Sequence, residues 1–231
     1  MSNYNIFKVL KLERKETIHS AMIVAIASHD EKCKDSFFIM LKNAVEREQD
    51  YIKHKDDFLD RINKLSDSII FNNPEYKWID TEVHLTEKVN GKTRDRGRAD
   101  IWIGTNDSGK EVKAEERFRL IIENKIDAGF QFRQLRRYYR YLTDESSRQF
   151  AGLFVLCVKD DDEFMNKVNN AAETFKTESK KGKETECAII TYLDIITWLE
   201  KVIKETEEGD FKTAVKQYKE IVKGFYPEIT E

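Results

Sequence analysis

Proline is nearly absent: Pro74 and Pro227 are the only two in 231 residues. With so few ring-locked positions, long helices are free to run unbroken. Cysteine is scarce as well. Cys33, Cys157 and Cys187 are odd in number and form no CxxC pair, which excludes a disulfide framework and a cysteine zinc site and predicts reduced thiols, two of them in apolar strand-like runs. No apolar stretch approaches the roughly 18 residues of a membrane-spanning helix. The start, MSNYNIFKVLKLERKE, has neither the apolar centre nor the small-residue cleavage site of a signal peptide, so the expected location is the cytoplasm, away from membranes. Four histidines without a closely spaced pair leave little for metal-free histidine catalysis. Neither a P-loop nor GxGxxG occurs, so ATP hydrolysis and dinucleotide binding are not expected.

Charge and apolar residues are plentiful. The chain is 36% charged and 40% hydrophobic, the composition of a helix-rich globular protein rather than a disordered one. Its net charge of −3 does not advertise a polyanion partner, but its distribution is uneven. KTRDRGR (92–98) carries four cations against one anion, and residues 131–140 hold Arg133, Arg136, Arg137 and Arg140 without an acid. DDDE (160–163) and ETEEGD (205–210) balance them. A local basic patch of this kind suits phosphate-backbone contact or simply keeps a surface solvated.

The apolar periodicity predicts helix through the first 28 residues, with Ile18, Met22, Ala25 and Ile26 on its buried face. A second helix or pair of helices follows, with SFFIMLKNAV as its apolar part and a charged continuation to about Leu65. Beyond Pro74 the pattern turns to strands: WIDTEVHLTEK, a turn at Asn90-Gly91, GRADIWIG, a polar loop over 105–116 and RFRLIIENKI. A helix QFRQLRRYYRYL, a strand AGLFVLCV, a helix over 162–180, a strand CAIIT and helices to about Gly224 complete the order. Strand, helix and strand in succession imply crossover and partly parallel pairing. The expected fold class is α/β: a mixed sheet sandwiched by helices. It forms a single domain over 1–231, with N-terminal helices over 1–70, a core over 76–191 and C-terminal helices over 192–231.

One stretch, RLIIENKIDAG (119–129), is at odds with itself. It reads as a buried strand, yet carries Glu123 and Lys125, each costly to bury alone. Two apart on a strand, they share a face, with Asn124 on the other. Asp100 interrupts the apolar run of the preceding strand, and cross-strand neighbours lie about 5 Å apart. Two carboxylates that close repel unless a cation lies between them, and hard oxygen ligands in a hydrated sphere suit Mg²⁺.

Asp100, then Glu123-x-Lys125 on the next strand, resembles the PD-(D/E)XK nuclease superfamily, and the resemblance implies that the mixed sheet sandwiched by helices is restriction-endonuclease-like. Gln134-x-x-x-Tyr138 on the following helix is similar to the QxxxY motif of its RecB-like branch, and Glu16-x-x-His19-Ser20 to the N-terminal motif of a bacterial group within it. The chain departs from the pattern in having Ala99-Asp100 in place of Pro-Asp, and His29-Asp30 where that group has His-Gly. The resemblance implies Asp100 and Glu123 as metal ligands, the Asn124 carbonyl as a third, and Lys125 orienting or deprotonating the attacking water. Glu16 is either an auxiliary ligand of a second metal or a first-turn helix acid; His19 either binds phosphate, holds Glu16 or is a satisfied buried histidine. On the 131–142 helix, Phe132, Leu135, Tyr139 and Leu142 are expected to pack on the sheet. Gln131, Gln134, Tyr138 and Tyr141 line a neighbouring stripe, Gln134 and Tyr138 reaching phosphate or the metal site. Arg98, Arg133 and Arg137 complete the expected nucleic-acid contacts.

The function the resemblance implies is Mg²⁺-dependent hydrolysis of phosphodiester bonds, with Mn²⁺ able to substitute, in DNA rather than RNA, in phage defence or DNA processing. A catalytically silent binding module of the same fold is the alternative. So is a homo-oligomer or an effector under a protein or small-molecule activator, with residues 45–65 and the C-terminal helices as contact surfaces.

Overall fold

A computed structural model describes residues 5, 11–12, 15–47, 55–69, 78–89, 92–104, 118–126, 134–143, 149–158 and 187–227. Three helices come first, α1 (Glu16–Ala27), α2 (Glu31–Arg47) and α3 (Lys55–Ser68), followed by β1 (Ile79–Val89), β2 (Lys92–Gly104) and β3 (Phe118–Lys125). Then come α4 (Gln134–Thr143), β4 (Gln149–Cys157), β5 (Cys187–Thr191), α5 (Tyr192–Glu205) and α6 (Asp210–Lys223). The Asn90-Gly91 turn, the 105–116 loop and the helix expected over 162–180 lie outside the described residues. Val89 pairs with Lys92, as a two-residue hairpin connection requires. Among the described residues no helix is long and apolar enough to cross a membrane.

The five strands form one sheet in the order β1-β2-β3-β4-β5. β1, β2 and β3 are an antiparallel meander, whereas β3 with β4 and β4 with β5 are parallel. α4 connects β3 to β4, and a strand that returns through a crossover helix re-enters the sheet in the same direction. Side-chain alternation divides the sheet's apolar residues between two cores. Ile101, Ile103, Leu120, Ile122, Phe154, Leu156 and Ile190 pack against α1, α2, α3, α5 and α6. Ile121, Leu153, Val155 and Ile189 face the other way, against Leu135, Tyr138 and Leu142 of α4. Covered on both faces, β3 reads as a nearly continuous apolar run. On β4, Gly152 is dictated by the first core: a Cβ there would stand 2.2 Å from the Phe58 ring of α3.

Two expected helix faces are revised. Among the described residues α1 begins at Glu16, and it buries His19, Ser20, Ile23, Ile26 and Ala27, leaving Ile18 and Met22 half-buried and Ala25 exposed. The stripe is displaced because two of its members are polar and meet polar partners, which apolar periodicity does not register. On α4 the packing face is Leu135, Tyr138, Tyr141 and Leu142, with Tyr139 only partly buried; Gln131, Phe132 and Arg133 are outside the described residues.

The C-terminal helices start from the sheet edge. Thr191 ends β5 and caps α5: its hydroxyl accepts from the Asp194 N–H, and its own N–H donates to the Asp194 carboxylate at 2.7 Å. Such a capping box satisfies two donors that a helix start otherwise leaves unpaired. Arg47 of α2 grips the same carboxylate with both terminal nitrogens, at 2.6 and 2.9 Å.

Candidate active site

The charged end of β3 resolves the conflict seen in its sequence. Glu123 is 1% exposed and Lys125 6%, and the two side chains, on the α4 face of the sheet, compensate one another: Lys125 Nζ lies 2.5 Å from Glu123 Oε1. Gln134, at the start of α4, donates from Nε2 to the same Oε1 at 2.6 Å. Glu123 Oε2 is different. It is buried, and no hydrogen-bond partner reaches it among the described residues. An orphaned carboxylate oxygen is costly to keep in a protein interior, and native proteins retain few.

Asp100 comes to this place through the antiparallel register of β2 on β3. Ile101 pairs with Ile122 and Trp102 with Ile121; continued by one residue, the register sets Asp100 opposite Glu123, and paired residues share a face. The Asn124 N–H donates to Asp100 Oδ2 at 2.8 Å. In extended backbone a residue's N–H and C=O address the same neighbouring strand, so the Asn124 carbonyl lies on the Asp100 side as well. α4 holds β2 from the other side. Gln134 Nε2 donates to the Tyr138 hydroxyl at 2.9 Å, and that hydroxyl donates to the Arg98 carbonyl at 2.6 Å. The helix approaches closely because β2 bulges below it. The β1–β2 register shifts between Leu85 and Thr86, and Gly97 has φ +110°, with the Tyr138 ring 3.5 Å from where a Cβ would stand. Glycine meets both demands.

On the reverse face Asn124 is fully buried and satisfied. Its Nδ2 donates to the Glu16 carbonyl and the Ser20 hydroxyl of α1, and its Oδ1 accepts from the Tyr192 hydroxyl at the start of α5. Glu16 joins the site from the end of β3, its Oε1 accepting the Ile126 N–H at 2.8 Å. His19 does not reach it. It is 1% exposed, its Nδ1 is 3.1 Å from the Tyr218 hydroxyl of α6, and its ring packs among those of Tyr192, Tyr218 and Phe225. Of the three readings of His19, this placement matches the satisfied buried histidine: three residues from Glu16, the imidazole points into the C-terminal helices and ties them to α1.

Gln134 and Tyr138 are also buried, and their polar atoms are engaged within the protein. They brace Glu123 and β2 instead of presenting themselves at the surface. Arg98 is exposed, its Nε 2.7 Å from Glu82 Oε2. Arg137 is half-buried, its guanidinium 3.8 Å from the Cβ position of Gly97. Arg133 lies outside the described residues.

Burial and mutual repulsion govern the charges. Burial pushes the Glu123 carboxyl up to about 7, with Asp100's charge adding to the rise and Lys125 opposing it. Asp100 is raised by burial, eased by the Asn124 N–H and Lys125, and raised further by Glu16 and Glu82. The Lys125 amine is raised above its ordinary range. Its burial favours the neutral amine, but Glu123, Asp100 and Glu16 together outweigh it and hold the ammonium protonated.

This donor set suits a hard divalent cation. Two carboxylates, one with a vacant buried oxygen, and a backbone carbonyl are what Mg²⁺ takes when it keeps several waters, as it usually does. Among the described residues no three His, Cys, Asp or Glu side chains gather into a complete protein cage, and a partly hydrated ion needs none.

Sequence reading quoted Ser20 only as part of the Glu16-x-x-His19-Ser20 motif, without a role, and missed Tyr192. The two reach Asn124 from 104 and 68 residues away, and no local pattern names Asn124 as their partner. A model of the PD-(D/E)XK nuclease superfamily matches residues 4–220. No curated protein and no solved structure gives a significant match.

Proposed function

The chain belongs to the PD-(D/E)XK nuclease superfamily, and from that premise we propose that it is a Mg²⁺-dependent deoxyribonuclease, with Mn²⁺ able to substitute, whose site is built on Asp100, Glu123 and Lys125. The observation that carries this reading is the state of Glu123: wholly buried beside Asp100, one oxygen bound by Lys125 and Gln134, the other without a hydrogen-bond partner among the described residues. The resemblance of Gln134 and Tyr138 to the QxxxY motif supports the RecB-like branch and, with it, DNA as substrate.

Asp100, Glu123 and the Asn124 carbonyl would hold the cation, with Glu16 at the margin as an auxiliary ligand. A divalent ion there supplies positive charge for the scissile phosphate and acidity for the attacking water. Lys125 keeps its proton while paired with Glu123 and is placed to donate to the attacking water or to a phosphate oxygen. Gln134 fixes the Glu123 carboxylate, and Tyr138 fixes the β2 backbone two residues before Asp100. Arg98 and Arg137, beside the Gly97 bulge, supply salt-sensitive, sequence-independent contacts to backbone phosphates.

The test is cleavage of supercoiled, linear and single-stranded DNA and of a structured RNA, with Mg²⁺, Mn²⁺ or chelator, by wild type, Asp100→Ala and Lys125→Ala. Metal-dependent cutting of DNA that both substitutions abolish in folded protein is the expected result. Folded wild type that cuts none of the substrates with either metal, and shows no Asp100-dependent metal binding by calorimetry, overturns the reading.

A further inference from the structure

Glu82 has no part in the site as drawn above, yet four features set it apart. Among the described residues it is the one non-glycine strand residue with positive φ, at +56°. It sits on β1 at a break in the ladder, between the pairs Thr81–Ile101 and Val83–Ala99, and therefore opposite Asp100. Its Oε2 receives the Arg98 guanidinium, while its Oε1 is buried without a hydrogen-bond partner among the described residues. Its charge is also close enough to disfavour ionisation of Asp100. A left-handed backbone costs a non-glycine residue of order 1–3 kcal/mol, and an orphaned buried oxygen adds to that cost. Strain of this kind persists where the surroundings impose it and clusters at functional sites.

Arg98 is held at two points of unequal strength. Its carbonyl is fixed by Tyr138, buried under α4. Its guanidinium is bound by one carboxylate oxygen, with the Arg98 side chain 54% exposed and that of Glu82 28%. The backbone is anchored; the guanidinium is free to exchange one oxyanion for another. Arginine pairs with phosphate as readily as with carboxylate, and in the same planar geometry.

We propose that Glu82 is a positioning residue that occupies Arg98 as a stand-in for a backbone phosphate, released when a nucleic-acid strand enters beside Asp100. This rests on the nuclease reading. Binding then requires an anion exchange at Arg98, and Glu82 opposes polyanions that lack the contacts to drive it. The carboxylate thus sets a threshold for binding, and its removal strengthens attachment to nucleic acid.

The test is binding of a short fluorescein-labelled DNA duplex and of the corresponding single strand, followed by anisotropy against salt concentration, with chelator present so that nothing is cut. Glu82→Gln removes the charge and keeps the size. Glu82→Gly also relieves the left-handed backbone, so it cannot fail through strain. Both should bind about two- to fivefold more tightly than wild type, the effect of releasing a partly exposed ion pair. Arg98→Gln should bind more weakly and lower the slope of log K against log salt by about one. In the Arg98→Gln background, Glu82→Gln should give no further tightening. A purely structural role predicts weaker or unchanged binding in both Glu82 variants, and that result overturns the proposal, as does tightening that survives without Arg98. Wild type that binds neither DNA, together with absence of cleavage, fails the nuclease reading itself; wild type that binds but is indifferent to Glu82 fails only this inference.

Discussion

Glu123 and Asn124 are adjacent in the chain and equally buried, 1% and 0% exposed, but the two faces of the sheet treat them in opposite ways. On the many-helix face, Asn124 finds a partner for each end of its amide in Ser20, the Glu16 carbonyl and Tyr192. On the α4 face, Glu123 has one oxygen crowded by Lys125 and Gln134 and the other without a hydrogen-bond partner among the described residues. A satisfied buried polar group specifies structure; an unsatisfied buried charge stores a demand that a ligand can meet. The same strand thus carries a fixed joint on one side and a poised site on the other.

The contrast is broken most severely at the poised side. Glu123→Gln and Asp100→Asn keep shape and should lower the cleavage rate by about 10²–10³ or more, with melting temperatures equal to or above wild type. Loss of folding in either variant would mean that the acids belong to the structure after all.

Asn124→Ala should act in the reverse sense. It strands the Tyr192 hydroxyl and the Ser20 hydroxyl in the core, costing about 1–3 kcal/mol of stability, read as a lower denaturant midpoint. A midpoint equal to wild type would show that the two faces do not differ as described.

Acidity sharpens the comparison further. Burial pushes the folded Glu123 carboxyl up to about 7 from its ordinary 4.5, and Asp100 is displaced in the same direction. The folded state therefore binds more protons than the unfolded chain in this window, so stability falls as pH rises from about 4.5 to 7 and then levels. Glu123→Gln should flatten that fall. Mg²⁺ should raise the melting temperature more at pH above the window than below it, because its ligands must lose their protons.

The smallest effect is expected at the brace. Tyr138→Phe removes the donor to the Arg98 carbonyl and should cost about 0.5–1.5 kcal/mol, with a partial loss of activity. Unchanged activity at full metal would show that β2 holds Asp100 without α4.

Much of this arrangement is legible in the residues themselves. Alternation put Glu123 and Lys125 on one face and Asn124 on the other, and the Asn90-Gly91 signal with its flanking strands gave the meander that brings Asp100 to Glu123. The role of His19 stayed open in the sequence because its spacing from Glu16 on α1 says that two side chains are near, not which neighbour each meets; Tyr218, 199 residues away, claims the imidazole. The same limit displaced the buried face of α1, where Ser20 and His19 count as polar in a pattern but are interior in the fold.

The sequence by itself determined that Asp100 lies on the strand next to Glu123-x-Lys125, and that Glu123 and Lys125 share a face with Asn124 turned away from them. Strand period, turn residues and element order are local, and local steric and solvation preferences suffice to read them. Only the tertiary structure decided that Lys125 is held protonated by Glu123, that Gln134 and Tyr138 brace and do not contact the surface, and that Glu82 stands opposite Asp100 with Arg98 in its grip. These depend on register, burial and the sum of charges from elements far apart in the chain, quantities that exist only once the chain has folded.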